Sequence, residues 1–256
     1  MNNRVGEIFI TNEGYEIIII DYKDTNHVAI QFRDEYKTII SRTTYANCRK
    51  GSIKNPYHPS VYGVGYLGVG KYIASINKKP TKEYLEWKEM LERGFNDKYK
   101  IKKPTYKNVT VAKDFHCFQD YGAWREDNYY EVKDERMCLD KDILIKGNNI
   151  YSPDTCIFVP ERINTLFIKS DAIRGDCPIG VTYRKDTNKY VAQCSIKTKE
   201  GNKNKRLGSY NTPEEAFLAY KTFKEQYIKQ VADEYKYYIP KELYEAMYKW
   251  EVEITD

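Results

Sequence analysis

The stretch LDKDILIKGNNIYSPDTCIFVPERIN, residues 139–164, opens on two carboxylates around a lysine, Asp140-Lys141-Asp142, and closes on Asn164. Met137–Leu144 reads as a strand, Lys146-Gly147-Asn148-Asn149 as a turn and Cys156–Val159 as a second strand. Pro160 suits the start of a helix running through Ile163, Asn164 and Leu166. Strand, loop, strand and helix would set Asp140, at a strand end, opposite Asn164 on the helix. Hydrolysis of a phosphodiester calls for a hard cation on the scissile phosphate, an activated water and a proton for the leaving oxygen. Carboxylate and amide oxygens are the donors such a cation binds. In isolation Asp140-Lys141-Asp142 is an ordinary solvated turn; its neighbours make it a candidate metal site.

Upstream, residues 1–68 look all-β. EIFIT, YEIIIIDY, HVAIQF and KTIISR are short β-branched or aromatic runs, separated by the turns NEG, DTNH and RDEY. That is the pattern of a small barrel. A helix is predicted from Thr81 as N-cap to Gly94 as stop, with Tyr84, Trp87, Met90 and Leu91 on one face. A second covers KDFHCFQDYGAWRE, with Phe115, Phe118 and Trp124 inward and His116 as a packing residue rather than a catalyst.

Downstream, GVTYRKD, KYVAQCSIKT and KRLGSY read as three strands with turns at DTNK and KEGNK. Alternation turns Val191, Gln193, Ser195 and Lys197 to one face and Tyr190, Ala192, Cys194 and Ile196 to the other. A long helix follows, with Thr212 as N-cap, Pro213 at its first position and Glu215 completing a capping box. Its apolar stripe is Ala216, Ala219, Tyr220, Phe223 and Tyr227, and PKELYEAMYKW forms a last short helix.

The formal net charge is +5, but it is uneven: +4 over 1–80, −1 over 81–164, +6 over 165–210 and −4 over 211–256. A short basic block on a three-stranded sheet suggests a face for a polyanion. The six cysteines form no Cys-x-x-Cys pair, which argues against structural zinc and for reduced thiols. No apolar run has the length of a membrane helix and the first residues hold no signal-peptide core, so a soluble, cytoplasmic protein is expected.

The C-terminal residues GVTYRKDTNKYVAQCSIK and RLGSYNTPEEAFLAY resemble the Apetala-type (ethylene-response-factor) DNA-binding domain, over roughly 173–227. The shared frame is Gly-Val, a basic run, an aromatic with Val-Ala, Leu-Gly-x-aromatic, Thr-x-Glu-Glu-Ala and Ala-Tyr. The resemblance implies double-stranded DNA as partner, with Arg184, Lys189, Tyr190, Lys197 and Arg206 as candidate contacts; the basic exposed face of the sheet adds Lys185 and Lys205. Tryptophan often stands in the family where this chain has Tyr190 and Arg206, so base preference does not carry over.

The opening stretch resembles the ββα-metal core of HNH endonucleases of the phage homing type. The resemblance implies that Asp140 and Asn164 bind one magnesium or manganese ion, and that both with Lys141 form the catalytic set. Asp142, Asn148, Asn149 and Thr155 support them, and Lys146 and Arg162 contact phosphate. Lys141 stands where the family has its general-base histidine, and lysine is ordinarily protonated at neutral pH. Three roles for it stay open: an unprotonated base, a cation steadying the phosphorane, or the mark of a nuclease that does not cut.

The expected architecture is α+β with three modules. These are a small SH3-like β-barrel over 1–70, with a possible protein partner, an HNH-like nuclease domain with a helical lead-in over 71–170, and an Apetala-type domain with C-terminal helices over 171–256. The expected function is a phage-encoded, metal-dependent DNA endonuclease acting in the bacterial cytoplasm. The alternatives are a catalytically silent DNA-binding protein, as regulator or anti-defence factor, and a protein-interaction module.

Overall fold

The computed structural model describes residues 4–168, 176–198 and 201–256. It is a mixed α+β protein of several small sheets. The chain forms two compact units, one of Met1–Asp127 with Asn149–Pro153, the other of Asn128–Asn148 with Asp154–Asp256. The stretch 139–164 thus contributes to both. The expected module boundary at 170/171 lies outside the described residues.

In the first unit an antiparallel meander runs β1 (Ile8–Ile10), β2 (Glu16–Asp24), β3 (His27–Phe32) and β4 (Ile39–Thr43). Its inner face is built by alternation: Ile17, Ile19, Val28, Ile30 and Phe32 are buried with Cys48 and Ile53. The expected barrel is not formed. The sheet order is β1-β2-β3-β4, so β1 and β4 are both edges and do not pair with each other. After β4 the chain turns into a short helix, α1 (Tyr45–Lys50), where the sequence reading had no element. The Thr44 hydroxyl accepts from the Asn47 N–H at 3.1 Å and starts it. Gly51 ends it at φ 63°, and a Cβ there would stand 2.8 Å from the Ile10 carbonyl oxygen.

Helix α2 (Lys82–Phe95) begins at Thr81 as predicted and buries Trp87, Met90 and Leu91. Gly94 does not stop it. It lies inside the helix because a Cβ there would come 2.7 Å from Val111 Cγ2. Asn96 caps the next helix, α3 (Asp97–Lys102), with its side chain on the Tyr99 N–H. In α4 (Phe118–Asn128) Phe118 and Tyr121 are buried beside Phe115, whose carbonyl takes the Trp87 indole N–H at 2.8 Å. Burying each such ring stabilises the fold by about 1.5–3 kcal/mol. His116 is a packing residue, with Nε2 3.1 Å from the Val111 carbonyl and its ring edge-on to Phe95.

The first unit also holds two short ladders, β5 (Ser75–Ile76) antiparallel to β6 (Lys79–Pro80) and β7 (Thr110–Val111) parallel to β9 (Ile150–Tyr151). In the second unit β8 (Met137–Asp140) pairs antiparallel with β10 (Ile157–Pro160), Asp140 opposite Ile157 and Met137 opposite Pro160. The short helix α5 (Glu161–Asn164) follows β10 directly, and a 3-10 turn over Thr165–Phe167 extends it. Phe158, Val159 and Ile163 are fully buried and fix this hairpin and helix in place. The C-terminal sheet runs β11 (Val181–Arg184), β12 (Lys189–Thr198) and β13 (Gly201–Tyr210) in that order, all antiparallel. Helix α6 (Pro213–Tyr235) packs Ala216, Phe217 and Tyr220 against Val181, Ala192 and Cys194. Its start carries the predicted capping box: Thr212 Oγ1 accepts from the Glu215 N–H, and Glu215 accepts from the Thr212 N–H. Helix α7 (Lys241–Tyr248) returns along α6, with Leu243 and Met247 buried.

Candidate functional site

Strand β8 ends earlier than the apolar run Met137–Leu144 suggests, and Asp140 is the reason. Its Oδ1 accepts from the N–H groups of Asp142 at 2.9 Å and Ile143 at 2.8 Å, which folds the chain into a tight turn. Burial, and then the charge of Asp142, push the Asp140 carboxyl up to about 6, against the pull of the two N–H donors and Lys141. Lys141 is buried, and its Nζ lies 3.1 Å from Asp142 Oδ2, so the lysine is held by its neighbour's carboxylate. Its carbonyl accepts from the Asn148 side-chain amide at 2.6 Å, which closes the loop between the two strands. Asn164 is the last residue of α5, half-buried, and its side chain makes no hydrogen bond among the described residues.

The other residues expected here are placed as follows. Asn149 belongs to the first unit, where its carbonyl accepts from the Thr110 N–H at 2.9 Å. Thr155 is half-buried in the turn before β10. Lys146 and Arg162, expected to meet phosphate, are engaged inside the protein. Lys146 Nζ donates to Asp256 Oδ2 at 2.9 Å and to the Glu251 carbonyl at 2.8 Å, and sits 5.5 Å from the centre of the Trp250 ring. Arg162 pairs with Glu234 at 2.6 Å and lies over the Tyr235 ring. Both cations fasten neighbouring elements to the hairpin and helix.

On the C-terminal sheet the register sorts the remaining candidates. Directly opposed residues share a face. Tyr190 pairs with Tyr210 and packs into the core under α6, so it leaves the list of DNA contacts. Lys205 leaves it as well. A bulge at Leu207 shifts the register, Lys205 falls opposite Cys194, and its ammonium sits 4.6 Å from the centre of the Phe223 ring on α6. Arg206 falls opposite Gln193 on the other side, with its guanidinium on Ser209 Oγ at 2.6 Å. Arg184 pairs with Lys189 at the end of β11, Lys189 reaches Asn211, and Lys185 is exposed in the turn beyond. The open face thus holds Arg184, Lys189, Lys197 and Arg206 around Gln193, Ser195, Asn202 and Asn204. The two asparagines went unread as contacts because their face depends on the bulge. No carboxylate lies on β11, β12 or β13.

No family model, no curated protein and no solved structure matches the chain. No described helix is long and apolar enough to cross a membrane.

Proposed function

We propose that this chain is a metal-dependent endonuclease of the HNH homing type that grips duplex DNA on the open face of its C-terminal sheet and cuts at the β8–β10–α5 hairpin and helix. One observation carries the reading. A strand ending in Asp140, the strand paired with it and a helix ending in Asn164 lie in the same compact unit as a basic sheet that holds no carboxylate.

The donors suit a hard, weakly held cation. Asp140 uses Oδ1 on two backbone N–H groups, so its Oδ2 would be one ligand and the Asn164 amide oxygen would be a second. Among the described residues no three His, Cys, Asp or Glu side chains gather as a metal site. A magnesium ion typically keeps several waters and takes one or two protein oxygens with the substrate phosphate, which matches so small a set. Bound there, the ion would supply charge stabilisation at the scissile phosphate. The turn at Asp140 orients that carboxylate. The Lys141–Asp142 pair holds the lysine side chain beside it.

The same ion pair favours a second reading, a DNA-binding protein that does not cut, because a lysine paired with Asp142 stands where the family has its general-base histidine. Supercoiled plasmid with magnesium or manganese separates the two. Nicking that Asp140→Ala and Asn164→Ala abolish, with DNA binding kept, supports the nuclease. Salt-sensitive binding without nicking on any substrate supports the second reading.

A further inference from the structure

We infer that the open face of the C-terminal sheet reads adenine, through an amide row on β12 and β13, and that this chain selects duplexes with an A·T-rich centre. The inference rests on the proposal that the face binds duplex DNA and adds to it the base class. The register sets Gln193 opposite Arg206, Ser195 opposite Asn204 and Lys197 opposite Asn202. Three amides and a hydroxyl therefore occupy neighbouring positions on one face. Ser195, Asn202 and Asn204 are exposed, and Gln193 is steadied by a 3.3 Å hydrogen bond to Thr182 Oγ1.

The chemistry of these groups is directional. A carboxamide both accepts and donates in one plane, and that pattern matches the N6 amino group and N7 of adenine in the major groove. Guanine presents two acceptors there, which suit arginine or lysine, and cytosine presents a donor, which suits a carboxylate. The three strands hold no carboxylate. Of the two arginines on the face, Arg184 lies at the end of β11 beside the turn and Arg206 is drawn to Ser209. The cations thus flank the amides rather than replace them, which suits them to phosphates and to at most one or two guanines.

The spacing agrees. Alternate residues on a strand are about 6.6–6.8 Å apart. Two base-pair steps of duplex DNA cover about the same length. Gln193 and Ser195, with Asn204 and Asn202 beside them, would address alternate base pairs along the groove.

The test is selection from a random duplex pool by the full chain at fixed salt, followed by competition between duplexes with A·T and G·C centres. Enrichment of adenine at adjacent or alternate central positions, with at least a tenfold preference, is the expected result. Gln193→Arg should move one selected position from adenine to guanine. Asn204→Ala should lower the preference about tenfold. Replacing adenine by 7-deaza-adenine removes the N7 acceptor without changing the minor groove. A preference that survives this replacement reflects groove shape and overturns the inference. So does binding with no preference, or a G·C preference; both leave the DNA-binding proposal standing. Failure to bind any duplex at any salt overturns that proposal itself.

Discussion

The hairpin region and the C-terminal sheet lie in one compact unit, and both are rich in charge, but they use it in opposite ways. In the hairpin region each cation has an internal anion: Lys141 has Asp142, Lys146 has Asp256 and Arg162 has Glu234. On the sheet the basic side chains of the open face have no carboxylate on their own strands and lie at exposed or half-exposed positions. Charge that is paired inside a fold contributes to its geometry; charge left on an open face is available to a polyanion. A count of basic residues along the sequence does not separate the two uses.

The comparison breaks if DNA affinity resides in the hairpin. The largest expected effect is on the sheet. Lys197→Ala with Arg206→Ala should weaken duplex binding by at least about 30-fold at low salt, since each contact is worth about 1–3 kcal/mol. The salt slope should fall as well, while thermal stability stays within about 0.5 kcal/mol of wild type. Fluorescence anisotropy against salt, paired with thermal melts, reads both. Arg162→Ala should do the reverse. It removes the partner of Glu234 and the cation over Tyr235. With those side chains 20% and 40% exposed, solvent screening reduces the loss to about 1–3 kcal/mol of stability. DNA affinity should not move, and a drop in affinity at constant stability would place Arg162 on the DNA after all.

Asp140 sharpens the contrast through pH. Its carboxyl titrates near 6 in the folded protein and near 3.8 as an ordinary aspartate. The fold therefore holds this proton more tightly than the unfolded chain does. Its contribution to stability is greatest below about pH 4 and declines as pH rises through 6. Asp140→Asn keeps the Oδ1 acceptor and cannot ionise. In metal-free buffer it should match wild type at pH 4 and exceed it by about 2–3 kcal/mol at pH 8. Equal denaturant midpoints at both pH values would contradict the burial of that charge. The smallest effect is expected at Lys146→Ala. It should cost about 1 kcal/mol, because the lysine end of its pair with the buried Asp256 is 26% exposed, and should speed amide exchange across residues 251–256.

Much of the fold is legible in the sequence, and the failures share a cause. The four N-terminal strands fall within a residue or two of their predicted limits: β2 and β3 carry a buried alternating face, and β1 and β4 pack Phe9 and Ile40 against it. Thr81, Thr212 and Glu215 act as the capping chemistry requires, which is local and independent of tertiary context. The barrel failed because closure depends on β1 meeting β4, a long-range pairing that leaves no mark in either segment. At the sheet, one extra residue at Leu207 exchanged the faces of the residues beyond it, taking Lys205 to the helix and leaving Arg206 open. At the hairpin, Asp140 was legible as a residue that ends a strand. The partners of Lys146 and Arg162 were not, because Asp256 and Glu234 lie far away in sequence.

The central claim is that the hairpin and helix cut the DNA that the sheet holds. The most direct measurement is conversion of supercoiled plasmid to nicked or linear form in magnesium or manganese, for wild type, Asp140→Ala and Asn164→Ala at matched DNA occupancy. The account predicts metal-dependent cleavage by wild type alone, lost on chelation and absent from both variants, with all three proteins binding the plasmid equally. Equal cleavage by wild type and both variants, or full occupancy with no cleavage in either metal, would contradict it.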